Sequence, residues 1–132
     1  MTLHVELVVP DREIWSGSAR MVVVKTLDGD LGVLASHPPV LGILAEGSLV
    51  RVLDPGEGAA GNEIVAAVSG GFLSVAGDRV SVLAREAQLG SGVDRAQAEA
   101  VLAAAEPAGP GGQEPSEVKY SRALLRAAGG RS

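Results

Sequence analysis

Apolar and polar positions alternate from the start of the chain: Leu3, Val5, Leu7 and Val9 are separated by His4, Glu6 and Val8. This period of two predicts a strand with one buried face and His4 pointing outward. A turn at Pro10 and Asp11 leads to Ile14 and Trp15, and the β-branched run from Met21 to Val24 predicts a strand buried on both faces. Asp28, Gly29 and Asp30 read as a hairpin turn with Leu31 to Leu34 returning. Leu49 to Val52, Ile64 to Val68, Phe72 to Val75 and Val80 to Leu83 continue the series. A glycine-rich loop from Pro55 to Gly61 interrupts it, and a two-residue turn at Gly77 and Asp78 joins the last two strands. Ser69, Gly70 and Gly71 read as a tight turn needing positive φ. Many short strands at regular spacing predict a β-sandwich or barrel.

The periodicity changes after Gly90, Ser91 and Gly92. Residues Asp94 to Glu106 hold six alanines and neither Gly nor Pro, which predicts a helix over about 94–106. Asp94 is placed to cap it, with Gln97 completing a capping-box-like pair. Its apolar stripe is Ala98, Val101, Leu102 and Ala105. A Gly- and Pro-rich loop, 107–115, precedes a second helix over about 117–128, with Ser116 as its cap, Gly129 and Gly130 as its stop, and a stripe of Tyr120, Leu124 and Ala127. Helices this short are marginal alone and need a packing partner. The expected architecture is mainly β with C-terminal α: a β-sandwich domain at 1–89, then an antiparallel two-helix hairpin at 90–132.

Composition narrows the function. The chain has 132 residues and a formal net charge of −5. An acidic chain with three aromatics, Trp15, Phe72 and Tyr120, argues against nucleic-acid binding. No apolar run approaches the ~20 residues of a membrane span, and the N-terminus lacks the pattern of a signal peptide. There are no cysteines, which excludes a disulfide scaffold, a zinc finger and thiol catalysis and fits a reducing cytoplasm. The two histidines, His4 and His37, fall short of the three or four convergent ligands of a metal site. Ser36, His37 and Asp30 form a hydrolase triad on paper only, since nothing in the sequence activates Ser36. Ser69 to Gly71 lacks the lysine and following helix of a phosphate loop. A binding or coupling part, rather than an enzyme acting alone, is the expectation.

Several segments carry a resemblance. Leu3 to Pro10 with Trp15, Ser16 and Gly17 comes first. Gly29 to Val33, His37 to Pro39, Leu44 and Gly47 follow. Ser69 to Val75 and Val80 to Ala84 close the set. In this order, over about 85 residues, the chain resembles the epsilon-subunit family of F-type, proton-translocating ATP synthases. The resemblance implies a non-catalytic rotor part, peripheral on the cytoplasmic face of the plasma membrane, that couples proton-driven rotation to ATP synthesis. Its implied partners are the gamma subunit, the ring of c subunits and, transiently, the alpha/beta catalytic head. The active sites lie on other chains. The implied hairpin restrains ATP hydrolysis.

Carried over residue by residue, Asp30 matches the acidic position facing the c ring, where a carboxylate suits a basic loop. His37 matches the histidine facing gamma. Lys119, Arg122 and Arg126 fall at i, i+3 and i+7 on one helix face and match basic residues that meet the catalytic head. Some members bind ATP through an Asp-x-x-Arg-Ala motif. Here Asp94 and Ala98 are present but Gln97 replaces the arginine. Glutamine lacks the charge and forked donors that grip phosphate, so Asp94 marks at most a weak nucleotide site and no cofactor is expected. The alternative function is a free-standing β-sandwich that binds a small ligand.

Overall fold

The computed structural model describes residues 2–55, 63–105 and 115–129. Eight strands follow one another: β1 (Leu3–Val9), β2 (Arg12–Ala19), β3 (Met21–Thr26), β4 (Gly29–Leu34), β5 (Val40–Ile43), β6 (Glu46–Leu53), β7 (Glu63–Ala76) and β8 (Arg79–Leu89). A 3-10 turn at Gly90–Gly92 leads to α1 (Arg95–Ala104) and α2 (Ser116–Ala128). The hydrogen-bonded order is β2-β1-β8-β7-β6-β3-β4, with β5 also on β7. The β1–β8 pair is parallel and every other pair is antiparallel.

The long strand β7 explains how one ladder makes a sandwich. Its first part, up to Ser69, pairs with β6, and its last part, Phe72 to Val75, pairs with β5 on the same edge. Gly70 and Gly71 lie between the two parts with φ of 66° and 113°. This left-handed backbone favours glycine. A side chain on Gly71 would collide with the Leu83 carbonyl of β8. The segment read as a turn is therefore an unbroken strand that changes direction between the layers.

Alternating residues fill the space between the layers. Leu3, Val5, Leu7 and Val9 of β1 are buried as the pattern predicts, and they join Val22, Val24, Val33, Val50, Val52, Leu73, Val80 and Val82 in one cluster. Burial on both faces occurs elsewhere than predicted. Met21 and Val23 of β3 are only half-buried, whereas Gly47–Val50 of β6 and Val65–Gly70 of β7 are buried without alternation. The physical reason is α2, which lies on the outer face of β6 and β7 and not on β3. Ala123 and Ala127, with Tyr120 and Leu124, pack there on Leu49, Val65 and Ala67.

Three boundaries differ from expectation. The β3–β4 turn is Leu27 and Asp28, with Gly29 and Asp30 already in β4. The buried Thr26 hydroxyl closes it early, donating to Gly29 O (2.8 Å) and accepting from Asp28 N (3.1 Å). Ser116 does not cap α2: Pro115 holds that position without a side-chain bond, and Ser116 is the first helical residue. Helix α1 ends at Ala104, capped at its start by Asp94, whose carboxylate accepts from Gln97 N at 3.1 Å. Glu106, Gly130 and most of the two Gly-rich loops lie outside the described residues. The Gly77–Asp78 turn is as expected, with both residues at positive φ (56° and 60°).

Leu73 is fully buried and Leu41 is 76% exposed. Leu73→Ala is expected to lower the unfolding free energy by about 2–5 kcal/mol. Leu41→Ser is expected to change it by less than about 0.5 kcal/mol. Urea unfolding followed by the fluorescence of Trp15 separates the two.

Candidate partner-binding surfaces

Five large apolar side chains stand in solvent on or beside one outer face: Leu27 (69% exposed), Leu41, Ile43, Phe72 and Leu83. The register aligns three of them. Ile43 of β5 is opposite Phe72 of β7, Phe72 is opposite Leu83 of β8, and Leu83 is opposite the half-buried Val8 of β1. At the usual strand spacing the row is roughly 14 Å long. Leu27 adjoins its β5 end, donating its N–H to Ile43 O at 2.9 Å. Contiguous exposed apolar patches of this kind mark docking sites in soluble domains. Strand β5 escaped the sequence reading for the same reason: its larger side chains, Leu41 and Ile43, face outward, and only Val40 packs against the core.

The residues singled out from sequence are dispersed over the sandwich. Asp30 is exposed on the edge strand β4, opposite Lys25. His37 lies in the β4–β5 loop, where its ring Nδ1 is 2.6 Å from the Pro38 carbonyl and its main-chain N–H donates to Leu34 O. The preceding Ser36, at φ 69°, donates its N–H to the Asp78 carboxylate, which ties this loop to the β7–β8 turn. No hydrogen bond joins Ser36, His37 and Asp30 among the described residues, so the structure assembles no triad. His4 points outward as predicted, 3.4 Å from Glu6.

The hairpin presents a second surface. Helix α2 lies close to the sandwich at both ends. A side chain on Gly47 would collide with the Lys119 main chain, and one on Gly90 would collide with the Ala127 carbonyl. Arg122 and Arg126 are exposed, while Lys119 is half-buried beside β6. The three basic residues of α2 are therefore not equally available in this position. Helix α1 packs on α2, and only its Ala98 is fully buried. The rest of its predicted stripe stays half-open.

Between the helices and β7–β8 runs a cleft of about 760 Å³, lined among others by Arg85, Glu86, Asp94, Gln97, Glu117 and Tyr120. Burial, with Glu86 nearby, pushes the Tyr120 phenol up to about 12, with Arg12 opposing. Glu46 lies at the cleft's β6 edge. It accepts from Ser116 Oγ and Arg85 Nη2, both at 2.8 Å, and these bonds hold its carboxyl below the usual range.

A family model described as the ATP synthase delta/epsilon chain β-sandwich domain matches residues 2–90. The chain belongs to the ATP synthase delta/epsilon family. A relative from Thermobifida fusca, named ATP synthase epsilon chain, is 47% identical over 128 residues, covering 96% of this chain and 91% of the relative. Another of that name, from Frankia casuarinae, is 52% identical over 89 residues, covering 67% of this chain but 99% of the relative. That epsilon chain therefore matches along nearly all its length with only part of this one. A solved structure of the Euglena gracilis mitochondrial ATP synthase holds a chain of the same fold. Its TM-score is 0.70 at 24% identity, covering 96% of this chain and 81% of that one. In this ATP synthase family member, no helix among the described residues is long and apolar enough to cross a membrane.

Tyr120 is the single tyrosine of the chain, so ultraviolet titration reports its burial directly. Its phenol has a higher value in the docked helix than the 10.0 of a free one. Docking is therefore unaffected by this group below pH 10 and loses stability as pH rises toward 12. A midpoint near 12 in the intact chain is expected. A midpoint near 10 would mean that α2 does not lie on the sandwich.

Proposed function

We propose that this chain is the epsilon subunit of the central stalk of an F-type ATP synthase. It is a non-catalytic rotor part that passes proton-driven rotation of the c ring to the catalytic head. The single observation that carries the reading is the exposed row Ile43–Phe72–Leu83, set on a sandwich whose family is named for this complex. An apolar row left open on a small acidic domain fits permanent assembly with another protein. The gamma subunit is the partner assigned to that face, with His37 at its margin.

Asp30, exposed at the β4 edge, is assigned to the c ring, where a basic loop would satisfy it. The chain then sits peripherally on the cytoplasmic side of the membrane, held through the complex. Lys119, Arg122 and Arg126 are assigned to the catalytic head when the hairpin leaves the sandwich. The hairpin's role is restraint of ATP hydrolysis. The Frankia casuarinae relative supports this division, because its length accommodates little beyond the sandwich. The reading as a free-standing sandwich that binds a small ligand at its Gly-rich edges has no comparable support, since the matching family and relatives are named for the ATP synthase.

Copurification tests the assignment. Ile43→Ser combined with Phe72→Ser removes two side chains that are 58% and 52% exposed. The isolated double variant is expected to unfold within about 1 kcal/mol of the parent, yet to be lost from the complex pulled down through gamma. Retention at parental yield would dismiss this face as the gamma contact. Asp30→Lys is expected to leave gamma binding intact and to weaken association with c rings.

A further inference from the structure

We propose that Glu46 is the latch of the helical hairpin: it joins Ser116 of α2 to Arg85 of β8 and so holds the tail on the sandwich without any bound ligand. Its regulatory meaning rests on the function proposed above, but the contacts do not. Three elements converge on this carboxylate. Ser116 Oγ donates to Oε2 and Arg85 Nη2 donates to Oε1, each at 2.8 Å. Arg85 reaches Glu46 by crossing β7 at Gly70, where a methyl group would lie 2.7 Å from its guanidinium nitrogens. The glycine pair of β7 therefore clears the path as well as turning the strand. Lys119, one turn into α2, adds a favourable charge beside the same carboxylate.

The latch has weight because the apolar contact beneath α2 is small. Two of its four residues are alanines, and Tyr120 and Leu124 are only half-buried. Alanine removes little apolar area from water, so burial here contributes less than a leucine seam would. A charge-assisted hydrogen-bonded group is then able to shift the balance between docked and released helix. Both glycines that permit close approach, Gly47 and Gly90, lie at the ends of the contact, so the latch fixes one end of a helix already seated at the other.

A nucleotide does not fit the cleft as its lining stands. Glu86, Asp94 and Glu117 line it against a single basic side chain, Arg85, whose guanidinium Glu46 already holds. Asp94 is occupied as the α1 cap. A polyphosphate would meet repulsion from these three carboxylates, with Arg85 the one basic side chain lining the cleft among the described residues. The docked tail is therefore expected to be indifferent to ATP.

Limited trypsin digestion of the isolated full chain tests both points. Cleavage after Lys119, Arg122 or Arg126, followed by mass spectrometry, requires α2 to leave the sandwich. Glu46→Ala is expected to raise that rate about three- to tenfold. Ser116→Ala is expected to raise it less, and the double variant to match Glu46→Ala alone, since both act on one contact. Gly90→Ala, which crowds the other end, shows that the digestion senses docking. If Glu46→Ala is cut at the parental rate while Gly90→Ala is cut faster, the latch is wrong. Millimolar MgATP is expected to change none of these rates, and protection of the parent by it would overturn the ligand-free claim. Failure of the parent chain to copurify with gamma would instead strike the functional reading and leave these rates as they are.

Discussion

The double-sided burial of β6 and β7 is the constraint on which the rest of the structure depends. Their inner faces, Val50, Val52, Ala66 and Val68, complete the core between the layers. Their outer faces, Leu49, Val65 and Ala67, are covered by α2. A helix of three to four turns would be marginal in water on its own, so the two parts complete each other at this contact. Removing α2 would return an apolar strip of sheet to solvent without emptying the core. The tail is thus separable in a way that the sandwich strands are not.

That separability fits the distribution of exposed groups. The helix-covered strip lies over the β6–β7 part of the ladder, and the open row Ile43–Phe72–Leu83 lies over the β5–β7–β8 part. One long strand, β7, serves both, and Gly70 and Gly71 mark its passage from one to the other. A partner on the open row and a helix on the covered strip therefore engage different ends of the same strand. The covered strip and the open row are thus separate surfaces carried by one strand.

Much of this was legible from local pattern. The β1 alternation, the Gly77–Asp78 turn and the Asp94 cap each depend on residues close in sequence, and each is found where the pattern put it. Strand β5 was not legible, because its large apolar residues face outward and imitate a loop after Pro38 and Pro39. The both-face burial was assigned to Met21–Val24 because a β-branched run looks alike whether a helix covers it or not. Ser116 looked like a cap because serine often is one, but its hydroxyl is taken by Glu46, 70 positions away. The Arg85–Glu46 pair spans 39 positions, and no spacing rule reaches that far. As partner contacts, Asp30 and His37 were singled out by resemblance alone, and the fold leaves them on separate elements rather than gathering them into one site.

Inverted membrane vesicles from a host lacking this chain give the most direct test. They would be restored with nothing, with residues 1–89 or with the full chain, and proton-driven ATP synthesis would be measured alongside ATP hydrolysis. The account predicts that synthesis is lost without the chain and returns with either form, while hydrolysis is higher with residues 1–89 than with the full chain. Synthesis at the same rate with no chain added would contradict it.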